Sequence, residues 1–408
     1  MTIRRQPEDF VVEERLREDV RAALRPEGGP DATHAVFELR KTGLATPVAI
    51  EGLAKALGIR PGLTSYAGLK DRHARTLQHV SAQVDPAVVA GIPAASLSRG
   101  SGYGASWHAR PIGWTDAPIV AEHIDGNRFT IVVRDLARNA THEMDRRAHV
   151  LRDGDGLLVV NYFGDQRFGS ARHGEGFAAR HLVRGEFEEA LRLLVATPAR
   201  KDQGATRTLT RLAASRWGDW RAILADLPRM PERAAFEALA KGQGFRDAFA
   251  ALPSFTQVMC VEAFQSHLWN AVARRLAATL GDEATRLERD DPFGSMLFPY
   301  SRTVTEAFRA MVLPLFAPDT SFEPAWAAEA AAVLDEEGLT MEGLRIPGLR
   351  KPYFGEAPRR LVVRAEGFVQ EKPVPDTFDR TGKRFARTLR FQLPRGAYAT
   401  VVLRALGQ

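Results

Sequence analysis

Apolar and polar positions alternate in several short stretches near the start of the chain. Residues 35–40 (Ala-Val-Phe-Glu-Leu-Arg) show the alternation typical of a half-buried strand, and 63–67 and 129–134 predict further strands. Residues 47–57 predict a helix with Thr46 as its N-cap and a proline in its first turn. The N-terminal region is therefore expected to be rich in strands.

The end of the chain shows a similar pattern. Residues 388–393 and 399–406 are short apolar segments, and the residues between them, 394–396, read Pro-Arg-Gly. Proline and glycine in such a position are typical of a turn. The sequence therefore predicts two more strands joined by this turn.

The middle of the chain, roughly 171–355, has the composition of helices rich in Ala, Leu and Arg. The predicted helices are 187–196, 255–280 and 324–334. The acidic stretch 282–291 is expected to be a solvated loop.

Small-residue and Pro/Gly breaks lie on both sides of this helical block, at Gly169-Ser170 and at 346–348. Such breaks are typical of domain boundaries. The predicted fold class is α/β (α+β), with a mixed, mostly antiparallel sheet and a mostly helical insertion. The predicted domain limits are 1–170 and 356–408 for the two parts of the strand-rich domain and 171–355 for the inserted domain.

Composition excludes several classes of protein. The 408-residue chain is 45% hydrophobic, as expected for a soluble globular protein of roughly two to three domains. No apolar run has the length of a membrane span, and the N-terminal residues do not resemble a signal peptide, so we expect a cytoplasmic protein. Cys260 is the one cysteine, which excludes an internal disulfide and thiol-based metal sites.

Positive charge is concentrated at the end of the chain. Residues 359–408 contain eleven Lys and Arg against four acidic residues, an excess of seven in a chain whose net charge is +6. Eight of the 56 basic residues are lysine, so forty-eight are arginine, whose planar guanidinium binds phosphate well. A biased base composition would explain the arginine content but not its location. We therefore expect a polyanionic partner, most simply a nucleic acid.

The triplet Lys70-Asp71-Arg72 follows a short predicted strand, where a loop begins. Two neighbouring cations favour an ionised carboxylate, which is a ready nucleophile. Taken alone, such a triplet is more often part of a surface loop. Asn127 and Phe129, at the start of another strand, have side chains that could bind and stack on a base; the alternative is a turn residue and a core residue.

The segment 161–169 alternates aromatic and polar side chains around two glycines. Tyr162, Phe163 and Phe168 suit either a close approach of the backbone or, as we favour, tight packing. His73 and His79 lie in no spacing typical of metal ligands, so we interpret them as ordinary polar residues.

Taken together, these segments resemble the TruD-type pseudouridine synthases. The matching blocks are Pro-Glu-Asp-Phe-Val-Val-x-Glu (7–14), Ala-Gly-Leu-Lys-Asp-Arg-His-Ala-x-Thr-x-Gln (67–78), Gly-Asn-x-Phe (126–129), Asn-Tyr-Phe-Gly-x-Gln-Arg-Phe-Gly (161–169) and Leu-Pro-x-Gly-x-Tyr-Ala-Thr-x-x-Leu-Arg (393–404). They occur in the family's order and span nearly the whole chain.

The resemblance implies a pseudouridine-synthase catalytic domain with an inserted helical domain. It implies an enzyme that isomerises a uridine of structured RNA, typically uridine 13 of tRNA, without cofactor or metal. Asp71 matches the family's catalytic aspartate. Phe10, Asn127 and Tyr398 match positions that contact the target uridine, and Phe129 matches the adjacent aromatic. We expect a monomer with no protein partner and no membrane association.

Arg4 matches a position where the family often has lysine close to the catalytic carboxylate. Two other positions depart from the family pattern: Ala45, where asparagine is usual, and Ala405, where glutamate is common. They motivate a second hypothesis, a catalytically idle RNA-binding or RNA-folding protein. A third hypothesis is a glycosidase, for which Glu14 would be the second carboxylate.

Overall fold

The computed structural model describes residues 2–101, 104–174, 176–200 and 202–408. Its internal contacts divide the chain into two compact units. One, here called the sheet unit, comprises the chain up to Leu158 together with Arg364–Ala399 and Leu406–Gln408. The other, the helical unit, comprises Val159–Val363 and Thr400–Ala405. The sheet unit is thus made from separate N-terminal and C-terminal parts of the chain.

In chain order, the strands are β1 (Phe10–Leu16), β2 (His34–Thr42), β3 (Thr64–Tyr66), β4 (Arg75–Gln83), β5 (Ser98–Ser101), β6 (Ala105–Thr115), β7 (Ile124–Leu136), β8 (Arg152–Asp153), β9 (Gly156–Val160), β10 (Arg286–Arg289), β11 (Met296–Pro299), β12 (Val312–Leu315), β13 (Ala357–Arg360), β14 (Val362–Gln370), β15 (Val374–Pro375) and β16 (Phe385–Pro394). The helices are α1 (Glu18–Ala22), α2 (Thr46–Ala56), α3 (Pro86–Gly91), α4 (Arg138–Leu151), α5 (Ala178–Leu182), α6 (Phe187–Val195), α7 (Gly204–Ser215), α8 (Trp220–Asp226), α9 (Arg233–Ala240), α10 (Phe245–Ala250), α11 (Ser254–Ala278), α12 (Glu306–Ala310), α13 (Ala327–Glu336) and α14 (Ala399–Ala405).

The sheet unit is built on one large sheet with the strand order β5-β6-β2-β4-β1-β7-β16-β14-β9-β8, in which β3 also pairs with β4 and β15 with β16. β1 and β4 are parallel, whereas the pairs β1–β7, β7–β16, β2–β4 and β2–β6 are antiparallel. The predicted fold class, with its mixed and mostly antiparallel sheet, is confirmed. Because parallel strands begin at the same edge of a sheet, the segments that precede β1 and β4 lie close together.

Helix α2 covers one face of the sheet because its apolar side chains recur at helical spacing. Ile50 and Leu53 are buried against a cluster that includes Phe37 and Trp107. Gly52 permits this close packing, since a Cβ atom at that position would lie 2.5 Å from Trp107 Nε1. The helix and the strands β2, β4 and β6 therefore form one rigid support.

The helical unit is centred on α11, which buries side chains along most of its length. Trp269 of this helix is fully buried, and its Nε1 donates a hydrogen bond to Leu313 O at 2.9 Å. Gln265 Nε2 donates to Phe316 O at 2.8 Å. These polar groups are satisfied inside the core, as buried groups must be.

The local predictions agree with the structure for most elements. The strands predicted at 35–40, 63–67, 129–134 and 388–393 lie within or overlap β2, β3, β7 and β16, and the predicted helices correspond to α2, α6, α11 and α13.

Three local predictions are wrong. The segment 399–406, predicted as a strand, contains helix α14. Nearly every side chain in this segment is buried, so its sequence lacks the period that separates a helix from a strand. The stretch 282–291 is not simply a solvated loop: 286–289 form β10, and the Asp291 side chain is 1% exposed. Thr46 is not a side-chain N-cap of α2, since its hydroxyl donates to Gln78 Oε1 at 3.0 Å.

Candidate active site

Asp71 lies in the loop between β3 and β4, within the sheet unit. Its Oδ1 accepts a hydrogen bond from the backbone N–H of His73 at 2.9 Å, and its Oδ2 lies 2.8 Å from a guanidinium nitrogen of Arg4. The Asp71 side chain is 16% exposed, so the carboxylate is fixed in place without being sealed from solvent. The strand topology explains the contact, because Arg4 precedes β1 and Asp71 precedes β4.

Lys41 of β2 binds the Asp71 backbone. Its Nζ donates a hydrogen bond to Asp71 O at 2.7 Å, and the residue is 1% exposed. Burial lowers the pKa of Lys41 to about 8, with the charge of Asp71 opposing this shift and the charge of Lys70 adding to it. A buried lysine therefore holds the Asp71 loop, and its lowered pKa lets it lose its charge near pH 8.

Thr46 supports the same loop from helix α2. Its hydroxyl accepts a hydrogen bond from the backbone N–H of Lys70 at 3.0 Å while it donates to Gln78 of β4. Thr46 and Gln78 are both buried. A helix start and a central strand thus fix the residue that precedes Asp71.

The Lys70 side chain joins two other polar side chains. Its Nζ lies 2.6 Å from Glu14 Oε2 and donates to Asn127 Oδ1 at 3.1 Å. Glu14 is 1% exposed by its side chain and also accepts a hydrogen bond from the backbone N–H of His79 at 2.8 Å. Burial alone would raise the pKa of Glu14, but its contacts with His79 and Lys70 outweigh burial and lower it.

A row of aromatic rings lies beside these polar groups. Phe10 meets Phe129 edge to face at 6.3 Å between ring centroids, and Phe129 stacks on Phe391 at 5.5 Å. The Arg4 guanidinium lies over the Phe10 ring at 4.7 Å, so Arg4 connects the aromatic row to Asp71. Phe10 and Phe129 are both buried, as the core interpretation of Phe129 predicts.

Asn127 is half-buried on β7, directly opposite Glu14 on β1. The glycine before it is required by packing, because a Cβ atom on Gly126 would lie 2.2 Å from Leu393 O. Leu393 is the cross-strand partner of Asn127, and Tyr398 follows in the loop before α14, where it is half-buried. The contact of Tyr398 with the target uridine stays a prediction from the sequence resemblance.

The structure therefore brings together Arg4, Phe10, Asp71, Asn127 and Phe129, either directly or through Lys70. It places Arg4 in contact with Asp71, as the resemblance implied, whereas the Lys-Asp-Arg triplet taken alone pointed to the neighbours Lys70 and Arg72. Arg72 is exposed. Lys41 and Thr46 were missed. The available signal for Lys41 was its position two residues after Leu39, on the strand face that also carries Phe37, in a chain with few lysines.

The segment 161–169 in the helical unit is packed rather than open. Tyr162, Phe163 and Phe168 are buried. Tyr162 Oη donates to Leu297 O at 3.0 Å and accepts from the Leu297 backbone N–H at 3.1 Å. The packing interpretation of this motif is confirmed for these three aromatic residues.

The basic C-terminal stretch is largely compensated by acidic neighbours. Its ion pairs are Arg364–Asp155, Arg384–Asp135, Arg387–Asp145, Arg390–Glu371, Arg395–Glu122 and Arg404–Asp165. Across the described ranges, four of its cations have no acidic partner within ion-pair distance: Arg360, Lys372, Arg380 and Lys383. The stretch thus offers a polyanion fewer unpaired charges than its composition suggests.

An open cavity of about 710 Å³ lies over β1, β2, β4, β5 and β6. Arg40, Arg75 and His108 are among its lining residues, together with Glu13. Arg4, Phe10, Asp71 and Asn127 do not line it, whereas Lys41 does, so of the residues that surround Asp71 the cavity meets Lys41. Within the described residues, no group of three or more His, Cys, Asp or Glu side chains is arranged to hold a metal ion.

Comparison with known proteins assigns the chain to a family. The family model described as tRNA pseudouridine synthase D (TruD) matches residues 1–406. The chain belongs to the TruD family. The resemblance inferred from the five sequence blocks is thereby confirmed, and the match extends through both structural units.

Individual TruD relatives match along nearly their whole length. The tRNA pseudouridine synthase D of Aquifex aeolicus (strain VF5) is 28% identical over 412 residues, covering 99% of this chain and 97% of the relative. A probable tRNA pseudouridine synthase D of Pyrobaculum arsenaticum is 31% identical, covering 98% and 91%. A probable tRNA pseudouridine synthase D of Thermococcus onnurineus is 30% identical, covering 99% and 94%.

A solved structure supports the TruD fold. The crystal structure of the putative tRNA pseudouridine synthase D from Methanosarcina mazei superposes with a TM-score of 0.68 and 24% identity, covering 99% of this chain and 92% of that one. At this level of identity, the likeness concerns the fold alone. In the part of the chain that the structure describes, no helix has the length and apolar character needed to cross a bilayer.

Proposed function

We propose that this TruD-family protein isomerises a uridine of tRNA, uridine 13 in particular, to pseudouridine, with Asp71 as its catalytic carboxylate. The observation that carries the proposal is the fixed, partly exposed Asp71 carboxylate paired with Arg4 at 2.8 Å. The whole-length family match and the names of the relatives support the choice of reaction and substrate.

The chemistry requires that a reacting base be held while its bond to ribose is exchanged. The C1′–N1 bond of uridine breaks, the uracil turns, and a C5–C1′ bond forms. The proton lost from C5 is balanced by one gained at N1, so the product is an isomer. Asp71 can take part by attacking C1′, by adding to C6 of the uracil, or by assisting a glycal route, and the three routes remain open alternatives.

Because the reacting atoms are hidden in a base stack, the uridine has to be turned out of it at a cost of a few kcal/mol. Stacking on an aromatic side chain contributes about 1–3 kcal/mol per base and offsets much of that cost. We propose Tyr398, which is half-buried, as a stacking side chain, and Phe10, supported by Phe129, as the apolar floor of the base site.

The proposal is tested by assaying tRNA transcripts for pseudouridine with wild type, Asp71→Asn and the matched control Asp31→Asn, which changes an exposed aspartate. We expect conversion by wild type and by the control, and a loss of at least about 100-fold in Asp71→Asn. Conversion that survives in Asp71→Asn would remove Asp71 from the mechanism.

The two other hypotheses have distinct outcomes. Ala45 gives helix α2 no side-chain cap, and Ala405 is fully buried, so neither contributes a polar group. Wild type that binds tRNA without converting any uridine would favour the idle RNA-binding protein. The glycosidase hypothesis requires a protonated second carboxyl group, and Glu14 fits it poorly because its pKa is lowered.

The remaining expectations stay predictions. They are the domain limits 1–170, 171–355 and 356–408, a monomer without a protein partner, and a cytoplasmic location.

A further inference from the structure

The Asn127 amide is held in one of its two possible orientations. Lysine is a donor without lone pairs when charged, so the amide atom that lies 3.1 Å from Lys70 Nζ must be the oxygen, Oδ1. The Nδ2 group therefore points away from Lys70. Among the described residues, Asn127 Nδ2 donates no hydrogen bond, which leaves an oriented N–H donor at the edge of the site.

Lys70 is itself immobilised by a buried anion. Glu14 Oε2 lies 2.6 Å from Lys70 Nζ, and the Glu14 side chain is 1% exposed. The other oxygen, Oε1, accepts the His79 backbone N–H of the central strand β4 at 2.8 Å. Glu14 also lies directly opposite Asn127 in the β1–β7 register. The rigid sheet thus fixes Glu14, Glu14 fixes Lys70, and Lys70 fixes the amide.

This chain of contacts passes through the loop that carries the candidate nucleophile. Lys70 immediately precedes Asp71, and its backbone N–H is bound by Thr46. A ligand that reaches the Asp71 carboxylate therefore meets a neighbouring donor whose direction is fixed. An amide that was free to rotate would accept from an amino group as readily as it donates to a carbonyl.

We propose that Glu14 and Lys70 are specificity-determining positioning residues, which hold Asn127 Nδ2 toward the ligand so that the site selects a pyrimidine with a C4 carbonyl oxygen over one with a C4 amino group. The inference rests on the proposed function and deepens it. Uracil presents an acceptor at C4, whereas cytosine presents a donor that would face the Asn127 N–H. A site with a fixed donor rejects the wrong base because both groups are then left unpaired.

The first test compares the binding of two tRNA transcripts that differ by uridine or cytidine at the modified position. The position is the one that wild type converts, or position 13 if no conversion is seen. The proteins are wild type, Lys70→Met, Lys70→Arg and the control Lys55→Met, which alters an exposed lysine of α2. Dissociation constants for both transcripts are measured at one salt concentration, because phosphate contacts depend strongly on salt.

We expect wild type and Lys55→Met to prefer the uridine transcript, and Lys70→Met to lose roughly ten-fold or more of that preference. Lys70→Arg keeps a donor-only cation and is expected to restore much of it. A general structural role for Lys70 would weaken binding of both transcripts equally. An unchanged ratio of the two constants in Lys70→Met, or no preference in wild type, would overturn the proposal.

Asn127→Asp provides a second test that does not depend on the fold tolerating the loss of Lys70. A carboxylate at this half-buried position still pairs with Lys70 but offers the ligand only acceptors. We expect the cytidine transcript to bind at least as tightly as the uridine transcript; retention of the wild-type preference would contradict the inference.

The two proposals fail in different ways. If wild type converts no uridine, the proposed function fails, while the binding preference and its loss in Lys70→Met can still be measured. If wild type is active but Lys70→Met and Asn127→Asp keep its preference, the selection mechanism fails alone.

Discussion

Two regions of the molecule are rich in aromatic and polar motif residues, yet they use them differently. Around Asp71 in the sheet unit, Arg4, Lys41 and Thr46 hold a loop whose carboxylate stays partly exposed. In the segment 161–169 of the helical unit, Arg359 donates to Asn161 O at 2.6 Å and to Asn161 Oδ1 at 2.8 Å, and it lies 3.9 Å from the centre of the Phe163 ring.

The two regions differ in whether their polar groups stay accessible to a ligand. The Arg359 guanidinium donates hydrogen bonds to carbonyl oxygens and lies over the Phe163 ring. Its charge therefore contributes to the packing of the helical unit. The Asp71 side chain stays 16% exposed and Asn127 is half-buried, so solvent reaches both residues. Motif composition alone therefore does not separate a site from a core; the exposure of its oriented polar groups does.

The largest expected effect separates the two regions by stability. Arg359→Met would leave the oxygen atoms of Asn161 without their charged donor, and we expect the free energy of unfolding to fall by about 3 kcal/mol. Urea unfolding measures this change. The neighbouring exposed Arg360→Met is the control and should change stability by less than about 0.5 kcal/mol.

Pseudouridine formation per folded molecule should be unaffected in Arg359→Met. A variant that stayed stable but lost activity would place the Arg359 region in the site and abolish the contrast.

Lys41→Met should lower turnover by roughly ten-fold, because the Asp71 backbone loses a buried hydrogen-bond donor. The pH dependence sharpens this prediction. Because the folded-state pKa of Lys41 is about 8, wild type loses this charge as pH rises through about 8, and turnover should decline there. Arginine stays charged, so Lys41→Arg should lack this alkaline decline if it folds.

Stability should show the opposite trend with pH. Since the pKa of Lys41 is lower in the folded protein than in the unfolded chain, the unfolded chain binds more protons between pH 8 and the ordinary lysine pKa. The unfolding free energy of wild type relative to Lys41→Met should therefore rise over this range. A flat difference would show that Lys41 does not titrate as its burial implies.

Arg4→Lys tests how much of the contact with Asp71 is charge. Lysine keeps the charge but loses the planar contact with Phe10, so we expect turnover to fall by only about two- to five-fold. Arg4→Met should lose more, and Arg60→Lys, at an exposed position, should lose nothing. Equal losses in Arg4→Lys and Arg4→Met would indicate that stacking, not charge, matters at this position.

The smallest expected effects concern tRNA binding by the C-terminal cations. Lys383→Met removes an exposed cation without an acidic partner in the described ranges, and we expect a few-fold weaker binding with a salt dependence reduced by about one phosphate contact. Arg390→Met removes a cation already paired with Glu371 and should change the salt dependence less. The reverse order would show that the Arg390 pair opens to bind RNA.

Much of the fold could be predicted because the spacing of apolar residues in its strands and helices is visible in the sequence, although residues 35–39 of β2 are buried on both faces of the sheet and not half-buried as predicted. Residues 35–40 and 129–134 alternate clearly, and the structure places strands there. Residues 399–406 could not be assigned, since Val401, Val402 and Leu403 are all buried and a buried helix has no polar face to reveal its period.

Only part of the candidate site could be predicted from the sequence. Asp71, Phe10 and Asn127 stood in recognisable sequence blocks, and their catalytic and binding roles stay proposals. Lys41 and Thr46 reach the Asp71 loop from positions 30 and 24 residues distant from their partners in the chain, and only folding brings them together. The ion pairs of the C-terminal arginines could not be predicted either, because their acidic partners are brought close by folding and a count of charges along the sequence does not identify them.

The position of β16 between β7 and β14 has a consequence for how the protein is made. β7 ends at Leu136 and β16 begins at Phe385, so the ribosome synthesises nearly all of the helical unit before β7 can acquire this partner. At about 5–20 residues per second, that delay is roughly 10–50 seconds. During it, a nascent chain carries an open strand edge, which is a hazard for aggregation. Slow translation of the insertion should therefore lower the yield of soluble protein, and chaperones that shield exposed strands should restore it.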